Sequence, residues 1–133
     1  LPFAAPMVTI DDIPMLDGGI ADSIPVQYAM NQGFKKFVIV LTRNIGYRKE
    51  EKNNPFVKLF YKKFPKLQEA ICQRAANYNK TLDLIDKLEA EGRALVIRPE
   101  KPLQVSRIEK DINKLVDLYN EGFEMASRFV TQL

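Results

Sequence analysis

The sequence predicts an α/β fold, and two observations carry that prediction. Residues 37–42 (FVIVLT) and 94–99 (ALVIRP) are short apolar, β-branched runs without polar alternation. Such runs mark strands buried on both faces, as in a parallel sheet covered by helices. Helical patterns lie before, between and after them, and that interleaving is the signature of an α/β chain.

The elements follow in order. Two apolar runs, MVTI and IPML, flank Asp11-Asp12, which suits a tight hairpin, and Pro14 confines the second run to an edge. Asp17-Gly18-Gly19 comes next, a turn whose glycines permit positive φ and close backbone approach. Asp22 or Ser23 can cap a short helix that carries Pro25 in its first turn and stops at Gly33. After the first strand, residues 44–54 form a polar, charge-mixed loop ending at Pro55. A long helix follows Pro65, with Leu67, Ile71, Tyr78, Leu82, Ile85 and Leu88 on one face and Gly92 at its end. The second strand is closed by Pro99. Ser106 and Glu109, three apart, form a capping box opening a last helix. Its apolar face runs through Ile108, Ile112, Leu115, Tyr119, Phe123, Ala126 and Val130, with Gly122 marking close helix packing.

Composition narrows the chemistry. The 133 residues are 46% hydrophobic and 28% charged, ordinary for a globular domain. The net charge is +3, with both signs interspersed, which argues against nucleic acid as a partner. Histidine is absent and Cys72 is the one cysteine. That excludes a Ser-His-Asp triad and an internal disulfide, and no metal site or cofactor is expected. Cys72 reads as a buried small residue on a helix in a reducing, cytoplasmic setting.

The stretch LPFAAPMV, then LDGGIADSIPVQYAMNQG, then FVIVLT resembles the C-terminal part of the catalytic domain of patatin-like serine hydrolases. In that family a small-residue, Pro-rich segment precedes a D-G-[GA] turn, a helix, a glycine and a buried strand. The tail, ALVIRPEKPLQVSRIEKD and LYNEGFEMA, is similar to an extension after the core in a bacterial branch of the family. The resemblance implies a three-layer α/β/α domain with mostly parallel strands. Residues 1–54 would be the end of the catalytic core, and residues 55–133 an extension packed on it.

The resemblance also implies a Ser-Asp dyad acting on lipid or other acyl esters, with Asp17 as the base and Gly18 and Gly19 as its supporting turn. A carboxylate that takes the proton of a serine directly must sit at hydrogen-bond distance from it. Partial desolvation would raise its pKa into a useful range. A turn-forming Asp before two glycines, the commonest reason to find Asp-Gly, is the purely structural alternative. Ser23, Ser106 and Ser127 all lack the flanking glycines of a G-x-S-x-G elbow, and no Gly-rich oxyanion loop is present. The sequence therefore reads as a fragment. The expected partner is the upstream half of the same protein, with self-association as a further expectation.

Phe56, Phe60, Tyr61 and Phe64 interleave with Lys58, Lys62, Lys63 and Lys66. Helical spacing alone produces this pattern when aromatics face the core and lysines face water. The alternative is contact with an anionic membrane surface.

Overall fold

The computed structural model describes residues 7–51, 56–106 and 108–130. The chain is mixed α/β, in the order β1 (Val8–Ile10), β2 (Ile13–Met15), a 3₁₀ turn (Gly18–Ile20), α1 (Val26–Asn31), β3 (Phe37–Val40), α2 (Phe56–Phe60), α3 (Pro65–Ala90), β4 (Ala94–Ile97) and α4 (Ile112–Val130). It divides into two compact units, Leu1–Phe34 with Arg48–Lys87, and Lys35–Tyr47 with Leu88–Leu133. Among the described residues no helix is long and apolar enough to cross a membrane.

In the first unit, β1 and β2 pair antiparallel, with Ile10 opposite Ile13 and Thr9 opposite Pro14. Asp11 and Asp12 take φ of 48° and 60°, the left-handed pair that a two-residue hairpin turn requires. Asp tolerates this conformation better than most residues. In such a hairpin the closing pair exchanges the hydrogen bonds, so Pro14 sits where no N–H is needed. Helix α1 ends in a Schellman motif at Gly33 (φ 91°), where Gly33 N–H reaches the Met30 carbonyl and Phe34 N–H reaches that of Ala29.

Of the stripe that the α3 spacing predicts, Leu82 and Ile85 are buried in this unit and Leu67, Ile71 and Tyr78 half-buried, and Ala75, which the stripe did not include, is buried as well. The loop before α2 is tied to α3. Lys49 and Asn79 exchange two hydrogen bonds, Lys49 Nζ lies 4.8 Å from the centre of the Tyr78 ring, and Arg48 pairs with Asp83 at 2.7 Å. Cys72 is exposed on α3, not buried as its residue type suggested. The aromatic stretch also departs from expectation. Val57 of α2 is buried, whereas Leu59, Phe60 and Phe64 are exposed. The side chains of Phe56 and Lys58 lie outside the described residues.

In the second unit, β3 and β4 form a parallel pair with Ile39 beside Val96, both buried. The expectation of burial on both faces fails: Val38 is 53% and Val40 70% exposed. Among the described residues the sheet is one parallel pair, and of β3 the Ile39 and Leu41 side is the covered one. The α3 end repeats the Schellman geometry at Gly92 (φ 67°), with Gly92 and Arg93 N–H groups on the Glu89 and Leu88 carbonyls. Arg98 then pairs with Glu89.

The last helix starts later than the Ser106–Glu109 box predicts. Glu109 accepts from the Ser106, Lys110 and Asp111 N–H groups, which consumes it in a local turn. Asp111 is the effective cap, its Oδ1 accepting from Asn113 N–H at 3.0 Å. Ile108 lies outside the helix, and the apolar stripe Ile112, Leu115, Val116, Tyr119 and Phe123 faces outward, Ile112 being 74% exposed. A Cβ on Gly122 would meet nothing within 4 Å, so this glycine does not mark close packing. The side chain of Val130 lies outside the described residues.

Candidate functional site

Asp17 follows β2 directly and caps the 3₁₀ turn Gly18–Ile20, with φ −52° and ψ 116°. Its Oδ1 accepts from Gly19 N–H at 2.9 Å, the Asx-type bond that Asp favours two residues ahead of itself. The Asp17 carbonyl accepts from Ile20 N–H, and the Gly18 carbonyl from the N–H groups of Ala21 and Asp22. Ile20, buried, anchors the turn from inside. Neither Gly18 nor Gly19 takes positive φ, contrary to the sequence expectation, because the turn closes as a 3₁₀ helix. What the turn does exploit is the missing Cβ of Gly19. A Cβ there would lie 3.1 Å from Asp17 Oδ1 and 3.6 Å from an Arg74 guanidinium nitrogen, while one on Gly18 would meet nothing within 4 Å.

A second layer fixes the turn from behind. The Gly19 carbonyl accepts from Ser23 Oγ and from Arg74 Nε, each at 2.7 Å. Arg74 comes from α3, 55 positions away. Sequence reasoning missed it, since an arginine flanking a helix's apolar face carries no local sign of what it will reach. Ser23 was legible only as a helix-capping candidate.

Electrostatics run opposite to the expected direction. Asp17 is exposed, and its carboxyl is held below its ordinary value mainly by the Gly19 N–H bond, with the Arg74 guanidinium a minor contribution. Hydrogen bonding to the charged form and a nearby cation both favour ionisation, and burial is too slight to offset them. The site thus presents a rigid, ionised carboxylate on a turn braced by two donors. Among the described residues no group of three His, Cys, Asp or Glu could hold a metal ion.

Among known proteins, a family model described as a domain of unknown function (DUF6363) matches residues 64–133. No curated protein and no solved structure matches the chain. The matched residues contain Arg74, the last part of α2's connection, α3, β4 and α4, while the Asp17 turn precedes them. They make up more than half of the sequence, and the chain belongs to the DUF6363 family.

Proposed function

We propose that this chain supplies the aspartate half of a Ser-Asp dyad in a patatin-like acyl-ester hydrolase acting on lipid in the cytoplasm. The observation that carries the reading is the Asp17-Gly18-Gly19 turn, set in the motif order of that family and held by Gly19 N–H, Ser23 and Arg74. The nucleophile is a serine on a segment outside these residues, which also completes the three-layer α/β/α core. Asp17 takes the proton as serine Oγ attacks the ester carbonyl. The tetrahedral intermediate collapses to an acyl-serine, and the alcohol leaves with that proton. Water, deprotonated by the same carboxylate, then releases the fatty acid. Packing of the serine-bearing segment over the exposed carboxylate would withdraw it from water and make it a stronger base.

Asp17→Asn in the full-length protein tests this. Asn keeps the turn's acceptor oxygen and cannot take the proton, so hydrolysis of a chromogenic ester should fall on the order of 10²–10⁴-fold with an unchanged melting temperature. Near-normal kcat in that variant would reduce Asp17 to a turn residue. The 133 residues alone, lacking an elbow serine, should show no turnover.

A non-catalytic α/β interaction module is the second reading, and the outward apolar stripe of α4 favours it. Retention of esterase activity in the full-length protein, lost with Asp17→Asn, separates the two.

A further inference from the structure

The corner between α2 and α3 is built as a surface, not as core. Tyr61 N–H bonds to the Val57 carbonyl and Phe64 N–H to that of Tyr61, while the Phe64 carbonyl accepts from Leu67 and Gln68 N–H. Gln68 Nε2 closes the corner on the Tyr61 carbonyl at 2.8 Å. With Val57 buried beneath, this framework holds Leu59 and Phe60 outward, 69% and 67% exposed, with Phe64 beside them at 38%. Lys62, Lys63 and Lys66 are exposed on the same corner.

This segment is densely basic. Between Glu51 and Glu69 there is no acidic residue, and the stretch holds five lysines. Five exceeds the net charge of the whole chain, +3, so the remainder is net negative. Two other exposed apolar surfaces lack this bias: the β1–β2 hairpin, with Val8, Ile10, Ile13 and Met15, turns on Asp11 and Asp12, and the α4 stripe lies on a helix with Asp117, Glu121 and Glu124 against Lys114 and Arg128. Exposed aliphatic and aromatic side chains next in sequence to exposed lysines suit an interface in which the apolar groups enter the acyl boundary and the ammonium groups meet anionic headgroups. Leu59 favours lipid over nucleic acid, since a leucine gives a base no flat face on which to stack.

We infer that the α2–α3 corner docks the protein on an anionic lipid surface, with Leu59, Phe60 and Phe64 inserting and Lys62, Lys63 and Lys66 binding headgroups. This goes beyond the proposed hydrolysis and does not depend on Asp17. The test is co-sedimentation of the full-length protein with vesicles of phosphatidylcholine alone and of phosphatidylcholine mixed with phosphatidylglycerol. Binding is expected only to the mixed vesicles and weakens with salt. Each Lys→Gln change should lower partitioning about fivefold, and the combined change of Lys62, Lys63 and Lys66 about a hundredfold. Leu59→Ser with Phe60→Ser should also abolish binding; these side chains are exposed, so an unchanged thermal transition shows that the fold is intact. Equal binding to both vesicle types, or indifference to the Leu59 and Phe60 changes, would overturn the inference. So would tighter binding to a short DNA duplex that the lysine changes remove and the serine changes leave alone.

Discussion

Arg74 Nε donates to the Gly19 carbonyl at 2.7 Å, joining a helix of the DUF6363 region to the turn that carries Asp17. The same guanidinium makes a minor contribution to the ionised form of Asp17, and one of its nitrogens lies 3.6 Å from where a Cβ on Gly19 would sit. Arg74 thus braces the turn's backbone, while the Gly19 N–H bond is the main cause that holds the Asp17 carboxyl down.

Loss of that brace should loosen the turn. Arg74→Gln is expected to speed amide exchange at Gly19 and Ile20 about fivefold, the worth of one hydrogen bond of about 1 kcal/mol. Arg74→Lys keeps the charge and not the planar donor, so it should leave the exchange rate raised. In the full-length protein Arg74→Gln should lower kcat on the order of tenfold to a hundredfold through misplacement. If Asp17→Asn abolishes activity while Arg74→Gln changes neither exchange nor kcat, Arg74 is only a packing residue.

Acid should destabilise the chain through two carboxyls. Asp17 and Glu109 both sit below their ordinary values of 3.8 and 4.5, each held down first by backbone N–H groups, Gly19's for Asp17 and Asp111's for Glu109. A depressed folded-state pKa contributes stability above the unfolded value and loses it as pH falls through the folded one. The melting temperature should therefore hold across the neutral range and decline below about pH 4.5. Asp17→Asn combined with Glu109→Gln should flatten that decline, as followed by circular dichroism.

Two glycines make opposite predictions. Gly92 takes φ 67° in the Schellman motif of α3, where an L side chain costs about 1–2 kcal/mol, so Gly92→Ala should destabilise. Gly122 lies inside α4 with open space where a Cβ would go, so Gly122→Ala should stabilise by about 0.5–1 kcal/mol. Denaturant titration measures both.

The outward face of α4 should drive association, because contiguous exposed apolar surface of this kind marks an interaction site or an aggregation liability. Tyr119 and Phe123 stack at its centre, with ring centroids 6.5 Å apart. Tyr119→Lys with Phe123→Lys should shift light scattering towards the monomer without lowering the melting temperature. Ile85→Ala, by contrast, removes a side chain with 0% exposure and should cost about 2–5 kcal/mol.

Local signals by themselves determined the hairpin turn at Asp11-Asp12, the stops at Gly33 and Gly92, the buried stripe of α3 and the two strands. Each of these is set by φ/ψ preference or by periodicity within a few residues. The Asp17-Gly18-Gly19 turn was legible as a motif for the same reason. Tertiary structure alone decided what distance and cover control. It brought Arg74 to Gly19 across 55 positions and left Val38 and Val40 exposed on a strand that reads as wholly buried. It displaced the last helix's cap from Ser106 to Asp111, since Glu109 is engaged by three neighbouring N–H groups. It also turned the stripes of α2 and α4 outward. Periodicity shows that a helix has an apolar face, but which side of the helix the rest of the chain covers depends on packing between distant segments. The pKa of Asp17 follows the same rule: residue type suggested a base needing desolvation, and the Gly19 N–H at an exposed carboxylate sets the opposite direction.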